Sequence, residues 1–245
     1  MMDRSGMMRQ EMAEALRGFR LLLTSCRMAG MRDWPAPLTQ PDPLPPEIGP
    51  AEPPVLSPER EGALAALAGK TVDCRHCRLH SGRLNVVFGE GSPRAKLAFV
   101  GEGPGFEEDQ QGRPFVGRAG KLLDRMTKSL GLERADVYIC NVVKCRPPEN
   151  RTPSADEIDA CSPFLFEQLE ILKPRVICAL GACAGQTLLA SPSPVSRMRG
   201  KIHRWRGIPL VCTFHPAYLL RTPSQKAAAW QDLLEARRLL HRGDE

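Results

Sequence analysis

The sequence contains no apolar run long enough to cross a bilayer, which takes about 20 residues in a helix. A membrane-spanning protein is therefore not expected. The longest early apolar stretch, residues 19–23, is too short for a signal peptide and is interrupted or flanked by Arg17 and Arg20. No internal repeat of roughly 20–50 residues is visible, which argues against a solenoid. We expect an intracellular protein whose 245 residues form one or two domains.

Charge is unevenly distributed along the chain. The net charge is +6, with −2 on residues 1–73 and +8 on residues 74–245. The basic part is long enough to bury a core and suits a polyanionic partner, nucleic acid first. A well-solvated basic surface would give the same count, so charge alone leaves both interpretations open.

Two segments precede the region that is expected to fold. Residues 1–33 form an extension in which residues 8–26 have the apolar spacing of an amphipathic helix. This helix either binds a partner or is a loosely docked tail. Residues 34–58 form a linker, because ten prolines among residues 35–58 favour an extended, semi-stiff chain. The folded domain is predicted to span residues 59–245.

Strands and helices are predicted to alternate beyond residue 59. The predicted strands are residues 96–100, 137–143, 175–180 and 208–214. The predicted helices are residues 59–72, 119–130, 154–172, 182–189 and 224–241. Near-continuous apolar strands alternating with helices indicate a sheet covered on both faces. The fold class is therefore α/β, a three-layer α/β/α sandwich around a short, mainly parallel sheet of four strands.

Polar residues stand at the carboxyl ends of three predicted strands. Glu102 follows the first strand, Asn141 lies near the end of the second, and His215 follows the fourth. Ligands of open α/β sheets bind at this edge. A single polar residue at a strand end usually belongs to a turn, whereas three at the same edge of the sheet predict a shared site.

The nine cysteines are odd in number, and without an export signal a disulfide framework is not expected. Cys74 and Cys77 form a Cys-x-x-Cys pair, and Cys145 and Cys161 are the best second pair. Four thiolates fit a structural zinc or an iron–sulfur cluster, and spacing alone does not choose. The cysteines in or beside apolar strands are predicted to lie in the core: Cys140, Cys178, Cys183 and Cys212.

Five segments, in order, resemble the family 4 uracil-DNA glycosylases, the iron–sulfur type. They are residues 87–91 (Val-Phe-Gly-Glu-Gly), 101–105 (Gly-Glu-Gly-Pro-Gly), 112–117 (Gly-Arg-Pro-Phe-Val-Gly), 141–148 (Asn-Val-Val-Lys-Cys-Arg-Pro-Pro) and 215–220 (His-Pro-Ala-Tyr-Leu-Leu). The resemblance covers about residues 73–240. It implies a monomeric DNA repair enzyme, cytoplasmic and nucleoid-associated, that flips deoxyuridine out of single- or double-stranded DNA. The enzyme would hydrolyse the N-glycosidic bond and leave an abasic site. A structural [4Fe–4S] cluster on Cys74, Cys77, Cys145 and Cys161 is also implied.

The resemblance assigns roles around the base. Phe115 would stack on the flipped uracil, and Asn141 would accept from N3–H and donate to O4, which cytosine cannot match. Glu108 would close the side of the pocket where thymine carries its methyl group. His215 would donate to O2 of the departing uracil.

The group that orients the attacking water is not fixed by the resemblance. In family 1 an Asp in the first motif has this role, and the matching position here is Gly103. Glu102 or Asn150 would orient the water, or cleavage is dissociative enough to need little help from a base. We expect Glu102 to organise the water or the loop, and Gly103 and Asn150 to line the uracil pocket.

DNA contacts are predicted at two places. Tyr218 and Leu219 would wedge into the gap that the base leaves. Arg199 and Lys201 would contact phosphates from a hairpin-like segment that also contains Arg197, Arg204 and Arg206. A solvated charged hairpin is the alternative.

Three other interpretations compete with a glycosylase. The first is a non-catalytic or crosslinking uracil-DNA-binding protein of the same fold, although the basic, His-containing insertion of the crosslinking relatives is missing after residue 148. The second is a metal-stabilised nucleic-acid-binding module. The third is a nucleotide-binding enzyme, yet residues 101–105 fit neither a P-loop nor the dinucleotide fingerprint. Residues 1–58 could recruit a protein partner in any of these cases.

Overall fold

The computed structural model describes residues 58–241. The predicted helix at residues 8–26 and nearly all of the predicted linker lie outside the described residues, so the domain boundaries stay predictions. No helix in the described range is both long and apolar enough to cross a membrane.

A six-stranded sheet forms the middle layer, in the order β1-β3-β2-β4-β6-β5. Its strands are β1 (Glu90–Gly91), β2 (Leu97–Gly101), β3 (Tyr138–Asn141), β4 (Val176–Leu180), β5 (Ile202–Trp205) and β6 (Ile208–Thr213). The four central strands are parallel, and β1 and β5 pair antiparallel at the edges.

The predicted fold class is confirmed, while the expected strand count of four was wrong. The four predicted strands are the parallel ones. β1 has only two residues, and β5 is largely exposed, so neither has the continuous apolar run that marks a buried strand. The hairpin-like segment is confirmed, since β5 and β6 form an antiparallel pair.

Eight α-helices surround the sheet in the described residues. They are α1 (Pro58–Val72), α2 (Phe106–Gln111), α3 (Arg118–Ser129), α4 (Ala155–Leu172), α5 (Ala182–Leu189), α6 (Val195–Met198), α7 (Pro216–Arg221) and α8 (Lys226–His241). The short helices α2, α6 and α7 were not predicted, because four to six residues are too few to show a helical period.

Two apolar cores separate the layers. Ala98 and Val100 of β2 point into a core shared with α1, α4 and α5. Leu97 and Phe99 point the opposite way, into a core shared with α3 and α8. Every residue of β2 and β4 is buried, as expected for strands covered on both faces.

The register of the central strands brings the predicted site together. Gly101 at the end of β2 pairs with Asn141 at the end of β3, and Leu180 pairs with Thr213. Because all four strands are parallel, the segments that follow them emerge at one edge of the sheet.

Candidate active site

A cavity of about 490 Å³ opens at the carboxyl edge of the sheet. Eight of the predicted site residues line it: Glu102, Gly103, Glu108, Phe115, Asn141, Asn150, His215 and Tyr218. They come from the ends of three strands and from the loops and helices next to them. The predicted shared site therefore exists as one cavity.

Asn141 presents an unused acceptor at this edge. Its side chain is buried, and Oδ1 has no hydrogen-bond partner in the described structure. A buried polar atom without a partner costs about 1–3 kcal/mol, so such an atom beside a cavity indicates a ligand that donates to it. Gly101 makes room here, because a Cβ at that position would collide with Oδ1 and lie 2.6 Å from Cζ of Phe115.

Phe115 lines the cavity, and its backbone has an unusual conformation. Its φ is 51°, in the left-handed region that side chains other than glycine rarely adopt. Arg134 holds this conformation by donating to the carbonyl oxygens of Pro114 and, at 3.2 Å, Phe115. The ring is buried and packs in the core beneath the loop, and it also lines the cavity.

His215 has one defined tautomer. Nδ1 lies 3.1 Å from the backbone nitrogen of Ala217 and accepts its hydrogen, which assigns the proton to Nε2. Burial lowers the pKa of His215 to about 4, and the positive charge of Arg221 acts in the same direction while Glu108 opposes it. The side chain is therefore neutral at pH 7 and offers Nε2–H as a donor. Its ring centroid is 5.6 Å from that of Phe115.

Glu108 ties together the two loops of the cavity. One carboxylate oxygen accepts from the backbone nitrogen of Gly105 at 3.0 Å. The other accepts from the backbone nitrogens of Val116 and Gly117, both at 2.9 Å. The side chain lines the cavity with its conformation fixed, which suits a rigid wall next to the base.

Glu102 and Gly103 begin the loop after β2. Burial raises the pKa of Glu102, and a side-chain hydrogen bond with Thr152 partly opposes the shift. A Cβ at Gly103 would lie 2.7 Å from Cγ2 of Val143, so a side chain does not fit there without movement. An acid at that position would require Val143 to move, and Glu102 is the carboxylate that this loop presents to the cavity.

Asn150 lies on the rim and is exposed. Its Oδ1 accepts from Nε of Arg146 at 2.8 Å. Two cations that the motifs do not predict also line this cavity, Arg151 and Arg221. In the sequence, only their positions just after residues 141–148 and 215–220 point to this cavity.

Leu219 is not the wedge for DNA that the sequence predicts. Its exposure is 1%, and it packs with Leu122, Phe214 and Ala229. Helix α7 turns this side chain toward α3 and α8, whereas Tyr218 faces the cavity with its ring centroid 5.2 Å from that of Phe214.

Arg199 also differs from its predicted role in binding phosphate. It forms two hydrogen bonds of 3.0 Å with buried Asp232 and donates to the carbonyl oxygen of Ala228. The guanidinium therefore neutralises an internal carboxylate. Lys201 is exposed at the start of the β5–β6 hairpin, and neither cation lines the cavity.

Cys74, Cys77, Cys145 and Cys161 line one narrow cavity on the α4 side of the sheet. Nη1 of Arg83 is 3.2 Å from Sγ of Cys145, and the backbone nitrogen of Lys144 is 3.3 Å from Sγ of Cys161. Burial raises the pKa of the Cys161 thiol to about 11. Across residues 58–241, no group of three or more His, Cys, Asp or Glu side chains is arranged to hold a single metal ion. The cysteines predicted for the core are buried as expected: Cys140, Cys178, Cys183 and Cys212.

Comparisons with known proteins agree with this fold. Residues 88–234 match the family model of the uracil DNA glycosylase superfamily, which is the class that the sheet and its cavity define. A type-4 uracil-DNA glycosylase of Thermotoga maritima is 48% identical over 169 residues, covering 68% of this chain and 88% of the relative. Those of Sulfurisphaera tokodaii and Archaeoglobus fulgidus are each 43% identical, covering 72% and 66% of this chain and 84% and 85% of the relatives. The chain belongs to the type-4 uracil-DNA glycosylase family, which confirms the resemblance drawn from its motifs.

Proposed function

We propose that this protein is a DNA repair glycosylase that releases uracil from DNA and leaves an abasic site. The observation that carries the proposal is the buried, unpartnered Oδ1 of Asn141 at a cavity that also contains a neutral His215. A base must leave the duplex to reach such a cavity, and this costs a few kcal/mol. A mismatch or a single strand lowers that cost.

Recognition of uracil follows from the donor and acceptor pattern. Asn141 Oδ1 would accept from N3–H, and its amide nitrogen would donate to O4. Cytosine has an unprotonated N3 and an amino group at these positions, so both hydrogen bonds would fail. Phe115 would stack on the base, and Glu108, held by three backbone amides, would stand where thymine carries its methyl group.

Cleavage of the N-glycosidic bond leaves negative charge on uracil. His215 Nε2–H would donate to O2 as that charge develops, and a preformed donor costs no reorganisation at that moment. Burial keeps the imidazole of His215 neutral, and the neutral form still has Nε2–H as a donor. Neutral histidines with a lowered pKa act as donors in other enzymes. The sugar develops oxocarbenium character, which the phosphates of bound DNA would stabilise.

Water addition to the sugar completes the reaction. Glu102 and Glu108 both line the cavity, but Glu108 is held by three backbone amides, and burial raises the pKa of Glu102. We assign it the role of organising the attacking water and the loop of residues 101–105. Oδ1 of Asn150 accepts a hydrogen bond from Arg146, so the NH2 group of the same side chain would contact the substrate.

Cys74, Cys77, Cys145 and Cys161 would hold a [4Fe–4S] cluster. A single zinc ion needs all four sulfurs within about 2.3 Å of one point, whereas a cluster binds each cysteine through a different iron. Four thiols line one cavity and provide one ligand for each iron of a cluster, and the resemblance to the iron–sulfur glycosylases favours the cluster over zinc. The cluster would supply a structural cross-link between the start of the domain, the loop after β3, and α4.

Further parts of the proposal rest on the sequence. We propose that the protein acts as a monomer on single- or double-stranded DNA, associated with the nucleoid in the cytoplasm. Residues 1–58 are proposed to recruit a protein partner.

Uracil release from an oligonucleotide with one deoxyuridine tests the function. The abasic product is detected by alkaline strand cleavage, with thymidine and deoxycytidine oligonucleotides as controls. We expect cleavage only of the uracil oligonucleotide. Binding without cleavage, by protein with its cysteine site filled, would support the non-catalytic alternative.

Iron content tests the cofactor separately. Cys74→Ser and Cys161→Ser are expected to lose iron and the visible absorbance of the cluster. Cys140→Ala is the matched control, because Cys140 is buried in β3 and does not line the cysteine cavity. Equal iron in all variants would exclude these ligands.

A further inference from the structure

Phe106 is an exposed aromatic ring at the edge of the cavity. Its side chain is 55% exposed, and no other Phe, Tyr or Trp in residues 58–241 is exposed. None of the three apolar clusters of the described structure includes it. The fold therefore gains little from this ring, and burial against a partner would remove apolar surface from water.

The ring lies next to residues of the cavity. Phe106 directly follows Gly105 and stands two residues before Glu108, and both of these residues line the cavity. The guanidinium of Arg146 lies 5.0 Å from the ring centroid, in cation–π geometry. Arg146 in turn donates to Asn150 on the cavity rim. Phe106, Arg146 and Asn150 thus form a continuous strip beside the cavity, which we call the rim strip.

The chemistry of the rim strip fits a nucleotide. An aromatic face stacks on any base, and an adjacent guanidinium pairs with a phosphate. Arg221 adds positive charge along the same rim, whereas the guanidinium of Arg151 is paired with buried Glu157. Leu219 is buried and unable to contact DNA, so Tyr218 is the remaining predicted wedge, and Phe106 adds a second aromatic group beside the cavity.

We propose that Phe106, supported by Arg146, stacks on the nucleobase adjacent to the flipped deoxyuridine. This inference rests on the proposed function and adds a second base-binding position to it. The stacking stabilises the flipped state, and it requires a base at the neighbouring position but no particular sequence.

A cycle that combines a protein variant with a modified substrate tests the contact. The Phe106→Ala variant and the unsubstituted protein are each assayed on deoxyuridine oligonucleotides with normal neighbours and with a base-free residue on the 5′ or the 3′ side. We expect Phe106→Ala to lower kcat/KM about fivefold or more on the normal substrate. On one of the base-free substrates the two proteins should become equal, because the partner of the ring is absent.

Two controls separate this contact from a structural role. Phe106→Trp should keep the activity, and Ile202→Ala, another exposed apolar side chain that is outside the cavity lining, should have no effect. The thermal unfolding of Phe106→Ala should match that of the unsubstituted protein. If the unsubstituted protein releases uracil and Phe106→Ala matches it within twofold on all substrates, the contact does not exist. If the unsubstituted protein releases no uracil, the proposed function itself fails.

Discussion

Lys144 Nζ donates a hydrogen bond of 2.8 Å to the backbone carbonyl oxygen of Asn141. The lysine is 1% exposed, and Nζ also donates to Gln168 Oε1. The backbone nitrogen of the same residue donates to Sγ of Cys161. Lys144 therefore connects the residue that would read uracil with the cavity that the four cysteines line. Its position between Asn141 and Cys145 is visible in the sequence, but its burial is not.

Replacing this lysine tests the connection. Lys144→Met would leave the Asn141 carbonyl and Gln168 Oε1 without their donor, at a cost of about 1–3 kcal/mol for each unpaired group. We expect lower stability in urea unfolding and a loss of kcat/KM for uracil release of at least tenfold. Lys96→Met, at an exposed lysine before the amino end of β2 and outside the cavity lining, is the matched control and should change neither. Full activity in Lys144→Met would show that the hydrogen bond does not position Asn141.

Gly101→Ala places a methyl group between the two residues that would hold the base. The new Cβ would collide with Asn141 Oδ1 and with the ring of Phe115. We expect uracil release to fall by two orders of magnitude or more, since both side chains must move. Gly62→Ala in α1 is the control, because nothing lies within 4 Å of its Cβ. This substitution should stabilise the protein by up to about 1 kcal/mol and leave the activity unchanged. Normal activity in Gly101→Ala would contradict the described packing.

The carboxylate of Glu108 accepts three backbone hydrogen bonds, and an amide is unable to do so. In Glu108→Gln, one acceptor becomes an NH2 group that faces either Gly105 N–H or the amides of Val116 and Gly117. We expect a loss of about 1–3 kcal/mol in the free energy of unfolding and a lower kcat. The neighbouring Glu107→Gln, at an exposed side chain, should have a smaller effect on both. Equal stability of the two variants would rule out a special role for the Glu108 contacts.

His215 makes the stability dependent on pH in a defined direction. Its pKa is about 4 in the folded protein and 6.5 when unperturbed, so the unfolded chain binds the proton first as pH falls. The stabilising contribution is complete above pH 6.5 and is lost progressively between pH 6.5 and 4. Urea unfolding of the protein and of His215→Gln at several pH values measures this. The advantage of the unsubstituted protein over the variant should shrink as pH falls, whereas a constant difference would contradict a buried neutral histidine.

The sequence predicts the parallel centre of the fold and most of the cavity. Continuous apolar strands that end at or just before Gly101, Asn141 and His215 indicate both the sheet and the cavity. The end of a buried parallel strand determines where the next residues emerge. The Cys-x-x-Cys pair and the two later cysteines likewise indicate a common site by their spacing, and all four line one cavity.

The incorrect predictions all depend on tertiary packing. Leu219 belongs to the motif of residues 215–220, and only the direction of α7 against α3 and α8 shows which of its side chains are buried. The sequence does not distinguish Arg199 from the other cations of its segment, because its partner Asp232 lies on α8, far away along the chain. Edge strand β1 is two residues long and has no pattern of its own. Local sequence does not contain the information that determines these three features.

The central claim is that Asn141 Oδ1 accepts a hydrogen bond from N3–H of the flipped uracil. The most direct measurement compares the rate of base release from deoxyuridine with that from N3-methyldeoxyuridine, using the unsubstituted protein and Asn141→Ala. We predict that the unsubstituted protein prefers deoxyuridine by at least 100-fold, and that Asn141→Ala is slow on both substrates and has nearly lost the preference. An unsubstituted protein that releases both bases equally, or an Asn141→Ala variant that keeps the full preference, would contradict the account.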